Sequence, residues 1–400
     1  PIIWQDLSGL PEQEQQQILH TSIEDLQQSL DILKGPLFRI GVFWLGPNLK
    51  TRLLMVIHHL VVDGVSWRIL LQDFQMAFEQ LQQGQPMMLL PKTTSIKSWS
   101  QALIAHAQSG EVQNELPFWI NMTNRIPDRL PLDIQNGTNL EGDSTSYSVG
   151  LEADETLTLI QETAKAYHCD VQTLLLVAWV QALRDWSGQE DWQILLESHG
   201  REDISPAVDI TRTVGWFTCQ YPVHISLQSA HTLVDTVKTV KEALYQIPQN
   251  GIGLSLLRNY HSDTQIRDRL GTLDYAEISF NYLGKFDTLQ EDSPFKVSGE
   301  LRGSERCSEN KRTVLWDITG GILGGQLQME LTYSQALHHR ETVKMVAEGF
   351  LQVLKDLIHQ RDSLGTQAIT PSDVAEFGWD QTDIEDILGE INRVTSKGEE

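Results

Sequence analysis

Residues 57–67 read IHHLVVDGVSW, and the reading of this stretch decides the fold. The run that leads into it, RLLMVIHH (52–59), is short, apolar and partly β-branched, which predicts a buried strand. Asp63-Gly64 supplies a turn, and Ser66 is expected as the N-cap of a helix running to about Gln82. Leu70, Phe74, Phe78 and Leu81 recur at helical spacing and predict one apolar stripe, ended by Gly84 and Pro86. On a strand His58 and His59 point to opposite faces, so they cannot readily share an ion, and no metal site is expected. His338-His339 read as a polar, exposed pair. Two readings of the motif histidines stand side by side: a hydrogen-bonded core imidazole, or a general base. Asp63 reads either as turn chemistry or as a buried carboxylate paired with a base, with Arg39 of GPLFR as candidate partner.

The rest of the chain frames these choices. At 400 residues it is long enough for two domains with a sizeable core. A net charge of −24 argues against a nucleic-acid partner, which requires a basic footprint. No apolar run spans a bilayer and no signal-peptide pattern opens the chain, so no membrane is expected. The three cysteines (Cys169, Cys219, Cys307) form no CxxC pair; they read as reduced thiols of a cytoplasmic protein. EQEQQQ (12–17) and EQLQQGQ (79–85) read as solvated helix faces.

Prolines and Asn-Gly between 116 and 146 mark an extended crossing segment. Beyond it come a strand near 147–151, a helix over 153–167, and a helix over 171–186 capped by Asp170 and apolar on nearly every side. A strand over 192–196 follows and delivers Glu197 at its end. Strands over 314–318 and 326–333 flank TGGILGG as a hairpin whose glycines serve a turn and not a phosphate loop. Alternating strands and helices predict an α/β architecture of two halves.

Glu197 in LLESHGRED is either a surface carboxylate, with Arg201 as partner, or a cavity-facing base whose basicity rises on desolvation. RTVGWFTCQYP (212–222), which opens at Arg212, reads as an aromatic strand with a glycine bend. FNYLG (280–284) reads as a core strand whose Asn281 and Tyr282 carry donors that burial must satisfy. Cys219 has no adjacent activating base, which argues against a nucleophilic thiol.

Together, HHLVVDGVSW (58–67), ESHGRE (197–202), RTVGWFTCQYP (212–222), PQNGIGLSLL (248–257) and FNYLG (280–284) closely resemble epimerization domains of non-ribosomal peptide synthetases, in the condensation-domain superfamily. The histidine motif is shared across that superfamily; the glutamate, RTVGWF and FNYLG stretches are more specific to epimerization. The resemblance implies two chloramphenicol acetyltransferase-like subdomains in a V-shaped pseudo-dimer around a central tunnel. Residues 1–145 would form the first, lacking its initial strand and helix, and 146–378 the second. Residues 379–400 would be an acidic tail or linker, whose 380–392 stretch reads as a helix, solvated or docking.

The implied reaction is inversion, L to D, at Cα of an aminoacyl or peptidyl thioester. The thioester is carried on the 4'-phosphopantetheine of a peptidyl carrier domain, and the domain itself binds no cofactor. Neighbouring synthetase domains are the other implied partners. The resemblance assigns proton transfer to His59 and Glu197. The supporting or substrate-proximal residues expected around them are His58, Asp63, Gly64, Ser66, Trp67, Ser198, His199, Arg212, Asn281 and Tyr282, with Arg39 added as the candidate partner of Asp63. Asn281, Tyr282 or a protonated His59 is the implied donor to an enolate oxygen. Ser198 replaces the family's usual glycine, and Leu254-Ser255 replace its usual Tyr-Gly. A peptide-bond-forming condensation domain and an inactive carrier-docking module are the alternatives.

Overall fold

The sheet that carries Glu197 has six strands, lying side by side in the order 144–150, 326–334, 316–323, 278–285, 191–198 and 219–226. The computed structural model describes residues 2–274, 276–285, 294–296, 298, 303, 305–364, 366–384 and 386–388. Its contacts group into two compact units. Unit 1 comprises 1–102, 203–218 and 288–310, and unit 2 comprises 103–202, 219–287 and 311–400.

Unit 1 starts with β1 (Ile2–Asp6) and helix α1 (Glu12–Gln28). Strands β2 (Phe38–Trp44) and β3 (Arg52–Ile57) follow. Strand β1 runs parallel to β2, and β3 antiparallel to it. Leu7, Leu26, Phe43 and Leu45 form the core between sheet and α1. The glutamine-rich start of α1 is not wholly solvated as expected: Gln15 is buried, and its amide donates to the carbonyls of Leu7, Leu10 and Leu45. Those loop carbonyls lack strand partners, and the glutamine satisfies them. Helix α2 (Gly64–Gln82) carries the expected stripe, with Phe74 and Phe78 packed edge-on or tilted against Phe295. Leu81, at the last turn, is exposed instead of completing it.

Unit 2 contains β4 (Ser144–Gly150), α3 (Val171–Ser187) and β5 (Asp191–Ser198). Next come β6 (Cys219–Ser226), α4 (Leu233–Tyr245) and α5 (Ile252–Tyr260). The last elements are β7 (Ile278–Lys285), β8 (Trp316–Leu323), β9 (Gln326–Ser334) and α6 (Arg340–Gln360). Asp170 caps α3 by accepting from the Thr173 N–H at 2.7 Å, as its position predicts. Leu174 to Val180 are fully buried in that helix, and Trp179 stacks on Phe350 of α6 with ring centroids 4.2 Å apart. Gly324 and Gly325, at φ +57° and +81°, make the two-residue turn between β8 and β9, a geometry that favours glycine at both places. The segment expected to be extended includes a short helix, Leu116–Met122, opened by Pro117.

Register fixes which residues share a face of this sheet. Leu196, Phe280, Ile318 and Leu331 are aligned across β5, β7, β8 and β9, and each is at most 2% exposed. The next row, pointing the other way, is polar: Glu197, Asn281, Thr319 and Glu330. His338, expected to be exposed, is 1% exposed. The Trp316 indole N–H donates to its Nδ1 at 3.2 Å, so Nε2 carries the proton and donates to the Pro131 carbonyl at 3.1 Å. No helix among the described residues is long and apolar enough to cross a membrane.

Candidate functional site

In unit 1, strand β3 stops at Ile57, before both histidines. The His58 ring accepts the Leu60 N–H through Nδ1 at 3.2 Å and caps a single 3-10 turn, His59–Val61. The expectation that both histidines lie on the strand is corrected. An acceptor two residues ahead of a free N–H turns the backbone out of the ladder. His59 is exposed, and its ring meets the edge of Trp216 with centroids 5.3 Å apart and planes at 61°.

Asp63, 3% exposed, is the N-cap of α2 in place of the expected Ser66. Its Oδ1 accepts the Ser66 N–H at 2.7 Å and its Oδ2 the Phe217 N–H at 3.2 Å. Ser66 is thereby released to bond elsewhere. Its buried hydroxyl lies 2.9 Å from the Gly215 carbonyl, to which it donates, and 3.1 Å from the Gly215 N–H, from which it accepts. A Cβ at Gly215 would stand 2.9 Å from Ile96 Cδ1, so a larger residue there would have to displace the Ile96 side chain. Arg212 pairs with Asp73 of α2, and the Thr213 hydroxyl donates to the Thr94 carbonyl at 2.6 Å. The RTVGWF stretch is therefore bonded directly to the DGVSW stretch. Arg39 does not partner Asp63 as expected; its Nε donates to Ser29 Oγ at 3.0 Å, because the Asp63 oxygens already serve main-chain donors. Gly64 is exposed in the first turn of α2, and half-buried Trp67 donates its N–H to the Asp63 carbonyl.

In unit 2, Glu197 is half-buried in the polar row at the carboxyl end of β5. Gln220 Nε2 donates to Oε1 at 2.7 Å, and Asn281 Nδ2 donates to Oε2 at 2.5 Å. Asn281 thus serves the carboxylate, whereas the resemblance cast it as a donor to substrate oxygen. Burial, chiefly, pushes the Tyr282 phenol above its ordinary value and keeps it a neutral donor. Ser198 donates to the Asn250 carbonyl at 3.1 Å. That carbonyl belongs to three consecutive left-handed residues, Gln249, Asn250 and Gly251, with φ of 43°, 50° and 79°. The Asn250 amide in turn donates to Glu202 at 3.1 Å. The glutamate strand is therefore anchored one residue beyond Glu197. His199 is exposed and accepts the Arg201 N–H at 2.9 Å. Burial raises the Cys219 thiol, which agrees with an unreactive cysteine.

The arrangement supplies a fixed carboxylate on unit 2 and an exposed imidazole on unit 1, both residue types suited to proton transfer. Gln220, Trp216 and Asp73 were missed in the sequence. Only Gln220 had a usable signal, an amide two residues before Pro222 on a strand opposite Glu197, and it required the β5–β6 register to be read. A cavity of about 180 Å³ in unit 2, lined by residues such as Arg125, Trp192 and Glu277, includes none of the expected site residues.

The family model described as Condensation domain matches residues 2–375. A linear gramicidin synthase polypeptide of Brevibacillus parabrevis is 38% identical over 389 residues, covering 96% of this chain and 5% of that polypeptide. Bacitracin synthase 3 of Bacillus licheniformis is 34% identical over 376 residues, covering 94% of this chain and 6% of that protein. The chain therefore spans a small fraction of the curated relatives it matches. Among solved structures, the epimerization domain from the third module of tyrocidine synthetase B is similar with a TM-score of 0.83 and 34% identity, over 90% of this chain and 79% of that one. The first condensation domain of the calcium-dependent antibiotic synthetase shares the fold, with a TM-score of 0.61 and 15% identity over 90% of this chain and 78% of that one.

Proposed function

From the premise that this chain belongs to the condensation-domain family, matched over residues 2–375, we propose that it is an epimerization domain. Its substrate is an aminoacyl or peptidyl thioester delivered on the phosphopantetheine of a carrier domain. Its reaction inverts Cα from L to D. The proposal keeps the division into acetyltransferase-like halves, 1–145 and 146–378, and takes the carrier domain and neighbouring synthetase domains as partners.

The observation that carries the reading is the Glu197 carboxylate, held at a strand end between two neutral amides. Peptide-bond formation requires no second proton-transfer group fixed in this way. A thioester acidifies the Cα–H because charge spreads onto the enolate oxygen. Glu197 and His59 are assigned as the two groups that remove the proton and return one, each contributing on the order of 10²–10⁴ in rate. Tyr282, kept neutral by burial, is assigned as a donor to the developing oxyanion. The likeness to the tyrocidine synthetase epimerization domain supports the same reading.

The reading is tested by supplying one carrier loaded with an L-aminoacyl thioester and analysing the released amino acid by chiral chromatography. A mixture of L and D forms is expected from that single carrier. Product appearing only when a second, acceptor-loaded carrier is added would identify a condensation domain instead. Carrier binding with pure L product would identify a docking module.

A further inference from the structure

We propose that Gln220 is a positioning residue for Glu197, completing with Asn281 an amide clamp that fixes the carboxylate's plane. This rests on the reading of Glu197 as a proton-transfer group.

The clamp is written into the sheet. Strands β6 and β7 are the two neighbours of β5. In the antiparallel β5–β6 pair Glu197 lies directly opposite Gln220, and directly opposed residues share a face. In the parallel β5–β7 pair Leu196 aligns with Phe280, which brings Asn281 level with Glu197. The three side chains therefore stand in one row across three adjacent strands, with the carboxylate in the middle. Gln220 reaches Oε1 at 2.7 Å and Asn281 reaches Oε2. With one donor on each oxygen, rotation about the last side-chain bond is blocked, and each oxygen keeps a lone pair for a substrate proton.

The amide chemistry matters as much as the place. A primary amide offers an N–H to a carboxylate oxygen and fixes its direction. It neither titrates nor carries charge in the working pH range, so the base is oriented by a neutral group. Gln220 is itself exposed, so its replacement leaves the core intact.

The test compares wild type, Gln220→Met, Gln220→Glu and Glu197→Gln in the full chain, following deuterium uptake at Cα of a carrier-bound aminoacyl thioester from pH 5 to pH 9. Methionine keeps length and loses the N–H. For Gln220→Met the exchange rate at neutral pH is expected to fall roughly 10-fold, with the half-saturating carrier concentration unchanged. Gln220→Glu, which sets a second carboxyl beside the first, is expected to lose at least as much and to move the acid limb of the pH profile upward. A Gln220→Met protein that exchanges at the wild-type rate, or whose loss lies in the half-saturating carrier concentration alone, overturns the clamp. If Glu197→Gln is inactive in that same experiment, the reading of Glu197 stands without it. Full exchange by Glu197→Gln overturns both.

Discussion

Asp63 shows how much one side chain can organise. Its two carboxylate oxygens hold the N-terminus of α2 through Ser66 and the RTVGWF segment through Phe217. Asp63→Ala removes a helix cap, worth about 1 kcal/mol, and orphans a buried N–H, which costs about 1–3 kcal/mol. A loss of roughly 2–4 kcal/mol is therefore expected from the urea midpoint with an unchanged slope. A change below about 0.5 kcal/mol, the size usual at an uninvolved surface site, would contradict the brace. The importance of Asp63 was legible from its place in a DG turn, but its partners were not. A carboxylate so close to a turn reads as paired with a cation such as Arg39, and only the folded chain shows main-chain donors 3 and 154 positions away taking its oxygens. Gln220 was missed for a related reason: the signal of an amide near Pro222 gains meaning only from a cross-strand register that local sequence does not encode.

Elements were more readable than partners. Strand β3, helix α2 and the buried helix α3 follow from apolar periodicity, and the β8–β9 turn follows from its two glycines. Periodicity failed where a side chain competes with the ladder. His58 ends β3 early by capping the next turn, which removed the basis for assigning the two histidines to opposite strand faces. It failed again at His338, whose polar neighbours hid a buried seat between Trp316 and Pro131. Burial there holds the imidazole below its ordinary 6.5. The unfolded chain therefore binds a proton near pH 6.5 that the folded chain refuses, and stability falls as pH drops through that value and below. Half-buried His224 is shifted the same way, first by burial and then by Arg125, and adds to the trend. His338→Gln is expected to narrow the gap between the melting temperatures at pH 8 and pH 5.5, even though its stability at pH 8 is lower. An undiminished gap would show that His338 does not contribute to the acid sensitivity.

For the whole molecule, the chain order and the spatial grouping differ. Residues 203–218 and 288–310 belong to unit 1, although each follows a stretch of unit 2. The motifs that resembled one family in the sequence are divided between units. The histidine and RTVGWF stretches lie in unit 1, and the glutamate and FNYLG stretches in unit 2. Within each unit the motif residues are bonded to one another, through Ser66 and Gly215 in the first and through Glu197 and Asn281 in the second. Residues 389–400, in the expected acidic tail, lie outside the described residues. The fold was legible because its motifs recur in a fixed order. The reaction was less so, because the histidine motif serves acyl transfer and proton transfer alike. The central claim is that Glu197 exchanges a proton with substrate Cα, and deuterium uptake from D2O into a carrier-bound L-aminoacyl thioester tests it most directly. Wild type is expected to incorporate deuterium with inversion, and Glu197→Gln to lose at least about 10²-fold in rate, whereas uptake and inversion at the wild-type rate in Glu197→Gln would contradict the account.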